Sequence, residues 1–326
     1  MLVFYTGLLY YYLGPILFIL YFLIVLQSLS VKHSAGDVLF IILLLFFFSC
    51  RMYVFSLYDV IYQARFYWGF LAFYLYFKRE SNISFERLLL ILCFLTLLEA
   101  ILVNTIVDPK ILPNYPSPET ALGHFATDGQ YQRPYSFGGS ASVTASFLVV
   151  VLSCINRSGF FKIGLVALTL TAVRSGSGYI AFLLYIFSKA RYKIVLVASM
   201  LILWFAIEVP TTSFLYRITF PYIKHLVLLK LNQINYIYTN ADWVDVLIGG
   251  MVPIGGDFAL LSFFGSQGIT GILLLLGFFA LKLNKKNAIP IMLLWVSSMH
   301  YSFMFYFPGQ ILTGYVLNME AHKRSV

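Results

Sequence analysis

The chain has 326 residues, of which 60% are hydrophobic and only 11% charged, and its mean hydropathy is +0.86. A water-soluble domain of this length has no core large enough to hide that much apolar surface, so a soluble enzyme or a nucleic-acid-binding fold is excluded despite a formal net charge of +9. The composition predicts an all-α, polytopic integral membrane protein that forms a single transmembrane domain over residues 1–326.

A spanning helix needs about 20 apolar residues. Such runs lie near 3–29, 38–56, 61–77, 88–106, 137–155, 161–173, 177–188, 194–209, 259–281, 288–306 and 309–319. They predict about eleven segments, within a range of about ten to twelve. The first run, from Leu2 to Leu29, has no basic leader and no small-residue cleavage site, which predicts a span and not a cleaved signal. Cys50, Cys93 and Cys154 all fall inside apolar runs and predict neither a disulfide framework nor a metal site.

Alternate connections carry Lys32, then Lys78, Arg79 and Arg87, then Arg157 and Lys162, then Lys189, Arg191 and Lys193, then Lys282, Lys285 and Lys286, then Lys323 and Arg324. These are most of the 22 basic residues, and the positive-inside rule assigns their side to the cytoplasm. The opposite connections hold Lys110, Arg133, Arg217, Lys224 and Lys230, and the N-terminus falls on that outer side. Residues 161–188 could form one helix, but two short segments joined around Arg174-Ser175-Gly176-Ser177-Gly178 keep both neighbouring lysine clusters inside.

Two outer segments are long, about 107–136 and about 210–258. The first is broken by Asp-Pro, Leu-Pro, Tyr-Pro and Ser-Pro steps and reads as irregular. Within the second, Ser213–Ile237 mixes Leu, Ile, Tyr and Phe with Arg217, Lys224 and Lys230, the pattern of an amphipathic helix on a membrane surface.

The arginines carry the sharpest chemical signal. Arg51 lies late in an outward-running helix, Arg65 early in the returning one, Arg174 at an outer junction, Arg133 before the outer end of a span, and Arg217 at the start of the second long loop. An intramembrane arginine costs at least about 2.5 kcal/mol on insertion scales, so each needs a compensating partner. The planar guanidinium fork suits phosphate. The competing reading pairs Arg51 and Arg65 with Glu99, Asp59 or backbone carbonyls. Further candidates are Tyr135 in the run Arg133–Ser140, and Asp257, which follows Gly255-Gly256 at the start of a helix with Gly268-Ile-Thr-Gly271. An aspartate there caps the helix or deprotonates a sugar hydroxyl. His124, Asp128, His225 and His300 weigh less, as solvated or buried structural residues. There is no Asp-x-Asp pair, zinc spacing or phosphate-binding loop, so the site is expected to work without metal or other cofactor.

Thr171-Ala-Val-Arg174-Ser175-Gly176 between two apolar segments, Asp257-Phe-Ala-Leu-Leu followed by Gly268-Ile-Thr-Gly271, and long outer loops bearing arginines resemble the Wzy-type O-antigen and capsular polysaccharide polymerases of bacterial inner membranes. The wider family includes the O-antigen ligases. The resemblance implies a GT-C-like architecture. It also implies the joining of undecaprenyl-diphosphate-linked repeat units at the periplasmic face, without nucleotide sugar or metal. By position, Arg174 and Arg133 would hold diphosphate with help from Arg217, Asp257 would handle the acceptor, and Arg51 and Arg65 would line the cavity. The implied partners are lipid-linked glycans, membrane lipids and a chain-length regulator protein, with no nucleic acid. A lipid-linked oligosaccharide flippase and an O-antigen ligase are the alternatives.

Overall fold

The computed structural model describes residues 33–78, 83–106, 127–128, 131–155, 158–189, 220–250, 259–299 and 301–319, together with Leu23, Ile24, Leu26 and Gln27. It is mostly helical. In chain order the elements are α1 (Ala35–Met52), α2 (Leu57–Trp68), α3 (Phe70–Phe77), α4 (Phe85–Thr105), the antiparallel pair β1 (Thr127–Asp128) and β2 (Tyr131–Gln132), α5 (Ala141–Ser153), α6 (Phe160–Val173), α7 (Gly176–Lys189), α8 (Phe220–Asn240), α9 (Trp243–Ile248), α10 (Ala259–Lys282), α11 (Ala288–Ser298) and α12 (Phe307–Leu317). Among the described residues α1, α4 and α10 are long and apolar enough to cross a membrane, and α5, α6 and α11 are shorter apolar helices.

The expected spans near 3–29 and 194–209 lie almost wholly outside the described residues. Elsewhere the helices follow the apolar runs, with two clear differences. The run near 288–306 is helical as α11 only to Ser298, and Phe303–Phe305 forms a separate short 3-10 helix. The run 61–77 is not one helix but two, α2 and α3, parted at Gly69. A glycine stands at the junction, and a distant side chain takes up the carbonyls before it, the Gln310 amide donating to those of Arg65 (3.1 Å) and Phe66 (2.7 Å). The choice of two segments over 161–188 holds, because α6 ends at Arg174 and α7 begins at Gly176. Of the surface helix expected over 213–237, residues 220–237 are helical as part of α8, where Lys224, Leu228, Leu229 and Leu231 are exposed, and 213–219 lie outside the described residues.

The chain divides into two compact units. One takes its elements from 83–228 and 292–297. Here α5 is the central helix, with Val149, Val150, Val151 and Leu152 wholly buried, and α4, α6 and α7 pack against it. The outward face of α4 carries Ile91, Phe94, Leu98 and Ile101, an apolar stripe that water disfavours and lipid accepts.

The second unit takes its elements from 16–82, 229–291 and 298–326. Helix α3 packs on α12, and α10 packs on α9 and α1. An aromatic cluster fills its interior. The Phe263 and Phe305 rings stack at 5.2 Å, and Tyr67 meets both edge-on. Such pairs add about 1 kcal/mol beyond their burial. Within α10, Gly268 leaves the helical region (φ 63°, ψ −173°), and Gly249 (φ 77°) lies against it. A Cβ on Gly268 would stand 2.5 Å from the Gly249 nitrogen and the Leu247 carbonyl, so only glycine permits this approach.

One ion cluster ties three helices of this unit. Asp37 caps the start of α1 with Ser34 and is 2% exposed. Its carboxylate accepts from Lys78 at the end of α3, from Lys282 at the end of α10 (2.7 Å) and from the Tyr74 hydroxyl (2.9 Å). Removing one partner of a buried ion pair strands the others. Asp37→Ala is therefore expected to lower stability in detergent by about 3 kcal/mol, with Asp37→Asn losing less because it keeps the Tyr74 bond. Chemical unfolding of purified protein measures this, and wild-type stability in Asp37→Ala would refute the clamp.

Candidate functional site

The site is built where α6 stops. Its last residues are apolar, and the helix closes on Arg174 in the left-handed region (φ 52°, ψ 46°), with the Arg174 amide donating to the Leu170 carbonyl at 2.9 Å. Glycine is the usual residue in that conformation, and a side chain there costs about 1 kcal/mol. Arg174 and Ser136 (φ 49°) are the non-glycine residues with positive φ among those described. Two such residues in one compact unit mark a backbone held by its surroundings.

The carbonyls left over at the end of α6 are taken by the segment that carries Arg133. The Tyr131 hydroxyl donates to the Ala172 carbonyl at 2.7 Å, and Arg133 Nε donates to the Val173 carbonyl at 3.2 Å. The Arg174 guanidinium carbon stands 3.8 Å from the centre of the Tyr131 ring, a cation–π contact. Two guanidinium groups thus meet around one phenol. Arg133 is only 6% exposed. Burial pushes the Tyr131 hydroxyl above its usual value, while the charges of Arg174 and Arg133 oppose the shift. Burial also raises the Tyr135 hydroxyl, with Arg133 opposing. Both phenols are neutral, hydrogen-bonding groups at physiological pH.

Beyond Arg174 a row of hydroxyls begins α7. Ser175 Oγ lies 3.0 Å from Ser177 Oγ and 3.3 Å from Ser142 Oγ, and it accepts weakly from the Gly178 amide at 3.4 Å. Guanidinium groups, neutral phenols and serine hydroxyls, most of them buried, form a polar cluster whose chemistry suits an oxygen-rich anion.

The expected residues therefore separate into two groups. Arg133, Arg174 and Tyr135 come together in the first unit. Arg51 and Arg65 belong to the second. Arg51 is 1% exposed and donates through Nη1 to the Ser266 carbonyl and through Nη2 to Gln63 Oε1. Its guanidinium carbon lies 5.6 Å from the Phe47 ring centre and 5.2 Å from that of Phe55. Arg51 thus meets a backbone carbonyl, as the competing reading foresaw. Asp59 instead bonds Ser56 at the start of α2 (2.5 Å), and Glu99 accepts from the amides of Tyr135 and Ser136, each at 2.9 Å. The Arg65 guanidinium lies over the Tyr62 ring at 5.3 Å.

Arg217, Asp257, His124 and His300 lie outside the described residues, as do Gly255 and Gly256 and the side chain of Asp128. His225 is exposed on α8. Among the described residues, His, Cys, Asp and Glu form no group of three that could hold a metal ion.

Sequence reasoning does not single out Tyr131, because tyrosines near the ends of apolar runs are usually interfacial belt residues. It also missed the polar chain around Arg51. Gln267 Nε2 donates to Gln63 Oε1 (3.1 Å), Trp68 Nε1 donates to Gln267 Oε1 (3.0 Å), and the Tyr67 hydroxyl bonds Ser266 Oγ (3.0 Å). The signal was present as glutamines inside apolar runs.

Comparison of this chain with protein-family models, curated proteins and solved structures found no match.

The left-handed turn gives a local test. Arg174→Gly removes the guanidinium but relieves the backbone, so its thermal midpoint in detergent should stay near that of the unsubstituted protein. Arg174→Val places a β-branched residue at φ 52° and should be less stable than Arg174→Gly by about 1–2 kcal/mol. Equal stability of the two would contradict the strained turn.

Proposed function

We propose that this chain is a membrane glycosyltransferase of the Wzy polymerase kind, which joins undecaprenyl-diphosphate-linked oligosaccharide repeat units at the outer face of a bacterial inner membrane. The observation that carries the reading is the pair Arg133 and Arg174 around Tyr131, at the end of apolar helices and beside the hydroxyls of Ser175 and Ser177. In such a transfer the bond from the anomeric carbon to the diphosphate of one lipid carrier breaks. A hydroxyl of the second lipid-linked glycan forms the new glycosidic bond and loses its proton. The leaving lipid diphosphate gains charge, and fixed donors aimed at that charge lower the barrier. Two guanidinium groups held by helix carbonyls and an aromatic ring are donors of this type. Asp257 is the residue proposed to take the acceptor proton, and Arg217 the one proposed to assist at the diphosphate. The proposed partners are the lipid-linked glycans, surrounding lipids and a chain-length regulator.

The break of α10 at Gly268, with the buried Arg51 bonded to the carbonyl two residues earlier, favours a second reading. Discontinuous helices form substrate sites in transporters, and a flippase for the same lipid-linked glycan would use one.

A gel of surface glycans separates the readings. Loss of the gene should leave glycan with a single repeat in place of a ladder, and Arg174→Gly should reproduce that loss at normal protein level. Complete absence of surface glycan, with lipid-linked units retained inside, would instead support the flippase. Full-length chains lacking only their attachment to lipid A would support a ligase. A normal ladder in Arg174→Gly would refute the role given to Arg174.

A further inference from the structure

The segment that carries Arg133 is held by polar side chains on a helix that is otherwise apolar. Between Leu88 and Thr105, Glu99 is the only charged residue of α4. Its Oε1 accepts from the backbone amides of Tyr135 and Ser136, both at 2.9 Å. One turn earlier, Thr96 Oγ1 lies 3.1 Å from Ser136 Oγ. Towards the other end, Asn104 grips Gln132 twice. Its Nδ2 donates to the Gln132 carbonyl and its Oδ1 accepts from the Gln132 amide, each at 2.8 Å.

This double bond to one residue is the pattern that a neighbouring strand would supply, delivered here by a side chain. Arg133 and Pro134 lie between the two anchors. From α5, Thr144 Oγ1 donates to the Tyr135 carbonyl at 2.6 Å and accepts from the Gly138 amide at 3.2 Å.

A carboxylate in an apolar helix is costly, and so is the positive φ of Ser136. Each is compensated by the other, since the Glu99 side-chain oxygen accepts from the amides that the turn presents. The outcome is that the backbone at Arg133 is fixed on both sides by α4. Its guanidinium reaches α6, donating through Nε to the Val173 carbonyl.

We propose that Glu99 and Asn104 are positioning residues for Arg133. They hold the backbone of 132–136 so that this guanidinium stands with Arg174 to receive a diphosphate. The inference rests on the lipid-diphosphate reading above and deepens it. Neither residue touches the ligand; both act through the backbone of Arg133 and its neighbours.

The test is a mutant cycle on the full chain in lipid nanodiscs, with farnesyl diphosphate as the probe and affinity read by calorimetry. Asn104→Leu should weaken binding about tenfold in the unsubstituted background, the worth of about one well-placed hydrogen bond. In an Arg133→Ala background the same substitution should change affinity by less than about twofold, because its effect runs through Arg133. Glu99→Gln keeps an acceptor for both amides and should stay within about threefold of the unsubstituted protein, whereas Glu99→Leu should behave as Asn104→Leu does. If the leucine variants fail to fold, Asn104→Asp supplies the cycle, since it keeps the acceptor for the Gln132 amide and loses the donor to its carbonyl. Equal weakening in both backgrounds, or no weakening in either, would overturn the positioning role while leaving the diphosphate reading intact. Arg133→Ala binding the probe as tightly as the unsubstituted protein would overturn both.

Discussion

In an apolar environment every backbone carbonyl freed by a helix break must find a donor, and three groups of described polar side chains in this protein meet that requirement. At the Gly268 break in α10, the Ser266 carbonyl accepts from Arg51 and from Gln267, and the Gly265 carbonyl accepts from the Gly250 amide at 3.0 Å. At the break between α2 and α3, the two N–H groups of the Gln310 amide are shared among the carbonyls of Arg65, Phe66 and Phe305, at 3.1, 2.7 and 2.8 Å. At the end of α6, Tyr131 and Arg133 serve Ala172 and Val173. A glutamine or arginine in an apolar run is therefore, in the first instance, the partner of an interrupted helix.

That constraint changes how the arginines are understood. Arg51 answers a backbone break and is buried with neutral partners and two aromatic rings, so its removal is expected to act through folding. Arg133 and Arg174 differ in that both stand around one phenol beside a row of hydroxyls, with a backbone strained at Arg174 and Ser136. Structural need alone does not call for arginine in a left-handed turn that glycine fills at lower cost. What this turn offers to the proposed diphosphate is therefore the guanidinium and not the bend.

Much of the helical framework was legible in the chain. Apolar runs of the right length marked α1, α4, α5 and α10, and the lysine clusters located the interruption between α6 and α7 before any geometry was known. The pair Arg133 and Arg174 was legible too, because both stand at ends of apolar runs. What was not legible depended on partners remote in sequence. The Gly69 break requires Gln310, 244 residues beyond Phe66. Glu99 binds the amides of Tyr135 and Ser136, partners that no spacing in the sequence indicates. Tyr131 is indistinguishable from interfacial tyrosines until the end of α6 is set against it. A side chain's partner is a property of packing, and periodicity encodes only which face it lies on.

Under the proposed function the Arg133–Arg174 pair holds a lipid-linked diphosphate during glycan transfer. The most direct measurement is reconstitution of the purified chain in lipid vesicles with a radiolabelled undecaprenyl-diphosphate-linked repeat unit, followed by chromatography of the lipid-linked products over time. The account predicts dimers and longer oligomers with release of undecaprenyl diphosphate, and it predicts that neither appears when Arg133 and Arg174 are both replaced. Movement of the labelled lipid across the bilayer with no increase in glycan length would contradict it.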